Sequence, residues 1–313
     1  MLNDREILTY FPMRIASAID CELKKQEMNI NYLEEIRLRS NRPLILKLTD
    51  GERKLDVCIR TEDILETLQH ACDNSIYSYQ NQICNGYITV KGGHRIGITG
   101  TAVIHDGKIT NINYISNLNF RIAKQVLGCS TKLLKFVIDI ENNTIYNTLL
   151  ISPPGAGKTT ILRDMIRKLS DGMEQIRFQG KNISVVDERG EIAASYKGVP
   201  QNDVGVRTDV LDNIPKSIGM KMVIRSMAPQ IIVADEIGTY EDVEAINYAV
   251  CCGIKGIFTA HGGSLEEIKL NPALSNLIQK NIFERLVFLD PKMKGNIEKV
   301  YALNKMTGDY FLI

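Results

Sequence analysis

The sequence predicts an α/β protein with a domain built on a parallel sheet, preceded by a smaller α+β domain. Three observations predict it. The chain has 313 residues, and a domain takes about 150, so two are expected. Hydrophobic residues make up 44% and charged residues 24%, which is ordinary globular usage and excludes wholesale disorder, a collagen-like fibre or a small disulfide scaffold. The texture also changes near residue 145, from short runs broken by turns to near-continuous apolar runs alternating with amphipathic stretches.

In the first part, Leu44-Ile45-Leu46-Lys47-Leu48 and Leu55-Asp56-Val57-Cys58-Ile59 read as strands on either side of Thr49-Asp50-Gly51. Thr61-Glu62-Asp63 opens a helix through Cys72, with acids at its positive end and Ile64, Leu65 and Leu68 on one face. Tyr87-Ile88-Thr89-Val90 and Arg95-Ile96-Gly97-Ile98 read as strands paired around Gly92-Gly93. These form the α+β domain, residues 1–125, and residues 126–145 are expected to link it to a second domain, 146–313.

In the second domain the strands are Thr148-Leu149-Leu150-Ile151, Ile183-Ser184-Val185-Val186, Ile231-Ile232-Val233-Ala234, Gly256-Ile257-Phe258-Thr259 and Leu286-Val287-Phe288-Leu289. Helical stretches separate most of them; Thr159 to Leu169 places Ile161, Leu162, Met165, Ile166 and Leu169 on one stripe. Apolar strands alternating with amphipathic helices imply a parallel sheet covered on both faces. Lys299–Leu303 and Tyr310–Ile313, around Thr307-Gly308-Asp309, read as a closing hairpin.

The chemistry is concentrated at strand ends. Ser152-Pro153-Pro154-Gly155-Ala156-Gly157-Lys158-Thr159-Thr160 follows one strand and opens a helix. Gly155 and Gly157 let the backbone curl until successive N–H groups face one centre, and that nest, with the positive helix end, binds phosphates. Pro154 and Ala156 complete the loop, Lys158 adds a point charge, and the hydroxyls of Thr159 and Thr160 follow. Thr159 is expected to ligate Mg²⁺. Ser152 stands where G-x-x-x-x-G-K-[ST] has its first glycine.

Asp235 and Glu236 end an apolar strand 77 residues after Lys158, at the edge where parallel sheets place ligands. Asp235 would hold the Mg²⁺ through water, and Glu236 would orient or deprotonate the attacking water. Val185-Val186-Asp187-Glu188-Arg189 and Phe258-Thr259-Ala260-His261 point to the same edge. His261 would sense phosphate or position water; Glu188 is either a second carboxylate of the site or an ion-pair partner of Arg189. The expected ligands are ATP and Mg²⁺.

Lys plus Arg total 38 against 37 for Asp plus Glu, so charge gives no reason to expect nucleic acid as a partner. The nearest basic cluster, Arg37, Arg39 and Arg42, sits beside Glu34 and Glu35. No run approaches the roughly 18 apolar residues of a membrane-spanning helix. The opening Met1–Glu6 carries charges where a signal peptide needs an apolar core. The seven cysteines contain no C-x-x-C, which points to a reduced cytoplasmic chain without a structural zinc; Cys251-Cys252 is expected to pack within a helix.

The order of the phosphate loop, the acidic box at Asp187-Glu188-Arg189, the acid strand ending Asp235-Glu236 and the histidine box at Thr259-Ala260-His261 resembles the secretion-type P-loop ATPases. These are the ring-forming motors of type II and type IV secretion and pilus systems. Glu34–Leu44 with Asp50-Gly51, Gly92–Gly97 and Leu118–Ala123 resemble a shorter sporulation branch of that family. The resemblance implies a RecA-like second domain, a homo-oligomeric, hexameric ring, and an ATP-driven motor for a channel between mother cell and forespore. It also implies peripheral attachment through the cytosolic face of membrane-embedded partners. Arginines of the first domain reach the nucleotide in such motors, which selects Arg95 and Arg121. The second domain offers Arg207, in Val204-Gly205-Val206-Arg207, and Arg225, in Val223-Ile224-Arg225, from the same or a neighbouring subunit. A nucleic-acid-binding P-loop ATPase and a nucleotide-dependent scaffold are the competing readings; the neutral charge opposes the first and Glu236 the second.

Overall fold

A computed structural model describes residues 6–25 and 32–313. The first five residues, on which most of the signal-peptide argument falls, lie outside them. The chain divides into two compact units that meet between Lys124 and Gln125.

The first unit contains helix α1 (Met13–Lys25), strands β1 (Leu33–Arg39), β2 (Pro43–Leu48) and β3 (Gly51–Cys58), helices α2 (Thr61–Ala71) and α3 (Gln80–Cys84), and strands β4 (Tyr87–Thr89), β5 (Arg95–His105) and β6 (Lys108–Arg121). Its six-stranded sheet has the order β3-β2-β1-β6-β5-β4 and is antiparallel throughout. Alternation puts Leu44, Leu46 and Leu48 of β2 and Ile36 and Leu38 of β1 in the core. Ile15, Ile19 and Leu23 of α1 are also buried, as are Ile64 and Leu68 of α2. Leu65, expected on that face of α2, is exposed instead, because one residue is a 100° turn of the helix. Strands β5 and β6 pair as far as His105 and Lys108, although β4 accompanies β5 only over Arg95–Gly97. The far part of this hairpin leaves Ile104, Ile109 and Tyr114 exposed.

The second unit begins with helix α4 (Thr131–Val137) and the short strand pair β7 (Ile138–Asp139) and β8 (Thr144–Ile145). This corrects the expected linker at 126–145. Leu133, Leu134, Val137, Ile138 and Ile145 belong to the second unit's core, and burial of five apolar side chains is incompatible with a free connection.

Strand β9 (Thr148–Ser152), helix α5 (Lys158–Asp171), strands β10 (Gly172–Met173) and β11 (Phe178–Gln179), and strands β12 (Ile183–Asp187) and β13 (Thr208–Asp212) follow. Then come helix α6 (Lys216–Met227), strand β14 (Ile231–Ala234), helix α7 (Tyr240–Cys251) and strand β15 (Lys255–His261). Helices α8 (Leu265–Leu270) and α9 (Pro272–Gln279) and strands β16 (Arg285–Leu289), β17 (Ile297–Leu303) and β18 (Tyr310–Leu312) close the chain. The eight-stranded sheet has the order β13-β12-β14-β15-β9-β16-β17-β18. It is parallel from β13 to β16, and β17 and β18 add to it antiparallel, as the expected closing hairpin.

Each central strand feeds two cores. Leu149, Ile151, Ile232 and Ala234 face the layer of α6, α7 and α9, whereas Leu150, Ile231 and Val233 face the layer of α5. That is why these strands read as unbroken apolar runs. All five stripe residues of α5 are buried. Cys251 and Cys252 are exposed rather than packed, because they lie where α7 ends.

Candidate active site

Parallel strands alternating with covering helices send every strand's carboxyl end to one rim of the sheet. There β9 runs into the loop 153–157. Gly155 and Gly157 take φ of +80° and +93°, a left-handed conformation that glycine adopts without a Cβ clash. A Cβ at Gly155 would meet nothing within 4 Å, so backbone conformation and not crowding is what favours glycine there. Among the described residues, the N–H groups of Gly155, Ala156, Gly157, Lys158, Thr159 and Thr160 find no acceptor. Six consecutive donors at a helix amino terminus form an anion cradle.

Lys158 is buried and its Nζ donates to Ser152 O at 2.7 Å, Ser152 Oγ at 3.2 Å and Pro153 O at 3.3 Å. Ser152, the departure from the glycine pattern, thus serves as a rest for the lysine. Burial pushes the Lys158 ammonium below the usual lysine range, and the charges of Asp235 and Glu236 oppose the shift.

Thr159 Oγ1 donates to Asp235 Oδ2 at 2.7 Å across the loop. Asp235 Oδ1 accepts from the buried Thr259 hydroxyl and from Glu236 N at 3.1 Å. The Thr259 hydroxyl in turn accepts from Glu236 N at 2.8 Å. One threonine on β15 therefore holds both acids that follow β14. A hydroxyl and a carboxylate in mutual reach are the oxygen donors that a hard cation such as Mg²⁺ prefers, and the donor cradle beside them suits the phosphates. The residues fit both groups.

Glu236 has φ +53°, a conformation that costs a non-glycine residue on the order of 1 kcal/mol. Its Oε1 lies 3.0 Å from His261 Nε2, and its Oε2 pairs with Arg189. His261 Nδ1 lies 3.1 Å from Lys158 Nζ. An ammonium only donates, so Nδ1 must accept, and the neutral imidazole carries its proton on Nε2 and donates it to Glu236. His261 therefore bridges the loop lysine and the acid.

The acidic box has a structural anchor. The buried Asp187 carboxylate accepts from the N–H groups of Glu191, Ile192 and Ala193 at 2.9, 3.0 and 2.8 Å. Burial raises its pKa against the pull of those three donors. Glu188 pairs with Lys216 at the start of α6, not with Arg189. Asp187, Glu188, Arg189, Glu191, Lys216, Asp235 and Glu236 line one hollow.

Of the four arginine candidates, the two of the second unit lie away from the loop. Arg207 precedes β13 and donates to Ser170 O at 3.0 Å, at the amino-terminal rim. Arg225 is exposed near the end of α6, 5.9 Å from the Tyr248 ring centroid. Nine residues separate it from Lys216, about 13 Å along the helix. Within this chain neither joins the loop, because a helix returning to the next parallel strand carries its last turn to the far rim. Arg95 and Arg121 stand opposite each other on β5 and β6, and Arg95 stacks 3.6 Å over the Tyr87 ring.

Sequence reasoning placed Arg189 and Thr259 in boxes at this rim without giving either its role in the site, and it missed Lys216. Thr259 carried a signal: two residues before His261 on one strand, it shares that side chain's face. Lys216 carried none, because its partner is set by the course of a loop.

Residues 8–307 match the family described as Sporulation stage III, protein AA. The chain belongs to this family. The stage III sporulation protein AA of Bacillus subtilis (strain 168) is 35% identical over 309 residues, 97% of this chain and 98% of that protein. An uncharacterized protein, ycf45, of Porphyra purpurea is 30% identical over 189 residues, 60% of this chain and 31% of its own length. Among solved structures, the Legionella pneumophila ATPase DotB superposes with a TM-score of 0.58 at 13% identity, over 93% of this chain and 82% of that one. The pilus retraction motor PilT with bound ADP gives 0.54 at 14% identity, over 96% and 80%. At these identities the likeness establishes the fold alone, a RecA-like α/β architecture with a separate antiparallel-sheet unit. No described helix is long and apolar enough to cross a membrane.

Proposed function

We propose that this chain binds Mg²⁺–ATP on the loop 152–160 and hydrolyses it, as the motor of a sporulation channel between mother cell and forespore. It would work as a homo-oligomeric, hexameric ring in the cytoplasm, attached to the cytosolic face of membrane-embedded partners. The observation that carries the reading is the Thr159–Asp235 contact at 2.7 Å beside six unbonded loop N–H groups. The sporulation family, and the ATPase and motor named among the structural neighbours, support it.

Pro154, Gly155, Ala156, Gly157, Lys158, Thr159 and Thr160 would hold the phosphates, and Thr159 and Asp235 the metal. Mg²⁺, when bound, neutralises charge on the phosphate oxygens. Lys158 exchanges the carbonyls of Ser152 and Pro153 for phosphate oxygens. Glu236 takes the proton of the attacking water, and His261 keeps its carboxylate aimed by donating from Nε2. Glu188, fixed by Lys216, keeps the hollow acidic. In this proposal Arg207 and Arg225 act on the nucleotide of a neighbouring copy, and Arg95 and Arg121 are the first unit's contribution to hydrolysis.

Phosphate release by the purified protein tests the reading. Lys158→Ala is expected to weaken nucleotide binding at least tenfold, the loss of a charge-assisted contact. Glu236→Gln is expected to keep binding, slow turnover by about 10²–10⁴, and accumulate closed rings with ATP in electron micrographs. Equal turnover in the wild type and both variants would refute the assignment. Arg95→Ala and Arg121→Ala in the same assay test the first unit's part.

A further inference from the structure

Glu236 is the proposed base, yet both of its oxygens are engaged: Oε1 by His261 and Oε2 by Arg189. An oxygen that already accepts from a guanidinium is screened from an incoming water by that side chain. Its partner lies nearer the surface. The Arg189 side chain is 63% exposed against 24% for Glu236, and an exposed ion pair adds little stability. Arg189 also lines the hollow that contains Asp235 and Glu236. The other cation of that hollow, Lys216, is paired with Glu188. The turn carrying Arg189 is fixed in turn, since Asp187 binds the three backbone N–H groups that follow it. The backbone that carries Arg189 is thus anchored, and its guanidinium lies at the exposed edge of the hollow.

We infer that Arg189 is a charge latch on Glu236, and that it transfers from the carboxylate to the terminal phosphate of a bound nucleoside triphosphate. A terminal phosphate carries more negative charge than a carboxylate and presents several acceptor oxygens to the planar guanidinium. The transfer leaves Oε2 of Glu236 open to a water proton only when a third phosphate is present. A diphosphate lacks the group that draws the arginine away, so the acid stays latched. No covalent step is added: one ion pair is exchanged for another. In this scheme Arg189 binds the terminal phosphate and, by leaving Glu236, opens that acid to water. The inference rests on the proposed ATPase reading and deepens it.

The test is a binding cycle on the full-length chain, using fluorescent ADP and a fluorescent, non-hydrolysable ATP analogue with Mg²⁺. Arg189→Ala is expected to leave ADP affinity unchanged and to lower analogue affinity by roughly tenfold, the worth of one charge-assisted hydrogen bond. Glu236→Gln is expected to raise analogue affinity, because the amide no longer competes for the arginine. In the double variant Arg189→Ala/Glu236→Gln that gain is expected to disappear. Additive effects, or an Arg189→Ala variant that keeps the full preference for the analogue, would overturn the latch. Arg189→Lys, which keeps the charge and a similar size, checks that any loss is not unfolding. Failure of the wild type to bind either nucleotide, or equal binding by Lys158→Ala, would instead remove the ATPase reading on which the latch depends.

Discussion

At the scale of single residues, the site is a set of backbone and charge compromises around one rim. Gly157 sits at φ +93°, where a Cβ would be strained whatever the surrounding space. Gly157→Ala is expected to cost about 1–2 kcal/mol, visible as a lower midpoint in urea, and to weaken nucleotide binding by tilting the N–H cradle. Much of this geometry was legible in the sequence, because it lies in contiguous residues: two glycines, a lysine and a threonine between a strand and a helix can be recognised without knowing the rest of the fold. Asp235 was legible because a buried strand must end before an acid can ionise. The partners of Arg189 and Glu188 were not. Arg189 meets Glu236 and Glu188 meets Lys216 because the Asp187 carboxylate turns the chain, and no local pattern of residue types encodes that turn.

At the scale of elements, helix α5 does more than present the loop. Its buried Asp164 accepts from Ser130 Oγ at 2.6 Å, Ser130 N at 2.9 Å, Gly128 N at 3.0 Å and Arg167 at 2.9 Å, and so pins the approach to α4 against α5. Burial alone would raise the Asp164 carboxyl, but those donors outweigh it and hold it well below the usual carboxylate range. A carboxyl depressed on folding adds stability at pH above about 4, its unfolded value, and loses that contribution as the pH falls below it. Asp164→Ala is therefore expected to destabilise the protein by about 3 kcal/mol at pH 7 in urea titrations. The gap to wild type should narrow as acid titrates the native carboxyl. This anchoring also explains why the linker expectation failed. A two-turn helix shows too little periodicity to be read from sequence, and its place is decided by Asp164, some 30 residues further on.

At the scale of the whole molecule, the division between Lys124 and Gln125 makes a truncation prediction. A fragment 125–313 is expected to fold cooperatively, as followed by circular dichroism on heating. A fragment 146–313 is expected to aggregate or melt broadly, because it exposes the core surface that Leu133, Leu134 and Val137 cover. The alternation of strand and helix that fixed the second unit was plain in the sequence. The six-stranded order of the first was not, since antiparallel pairing between distant strands leaves no local trace. One of those pairings has a practical side. Beyond Arg95–Gly97 the outer edge of β5 has no strand beside it among the described residues, and Thr99–Ile104 carries no charge. Bare ladders of this kind recruit one another in concentrated solution. Colloidal behaviour should therefore hinge on this arm: Ala102→Lys is expected to raise the concentration at which light scattering first climbs, leaving the melting temperature where it was.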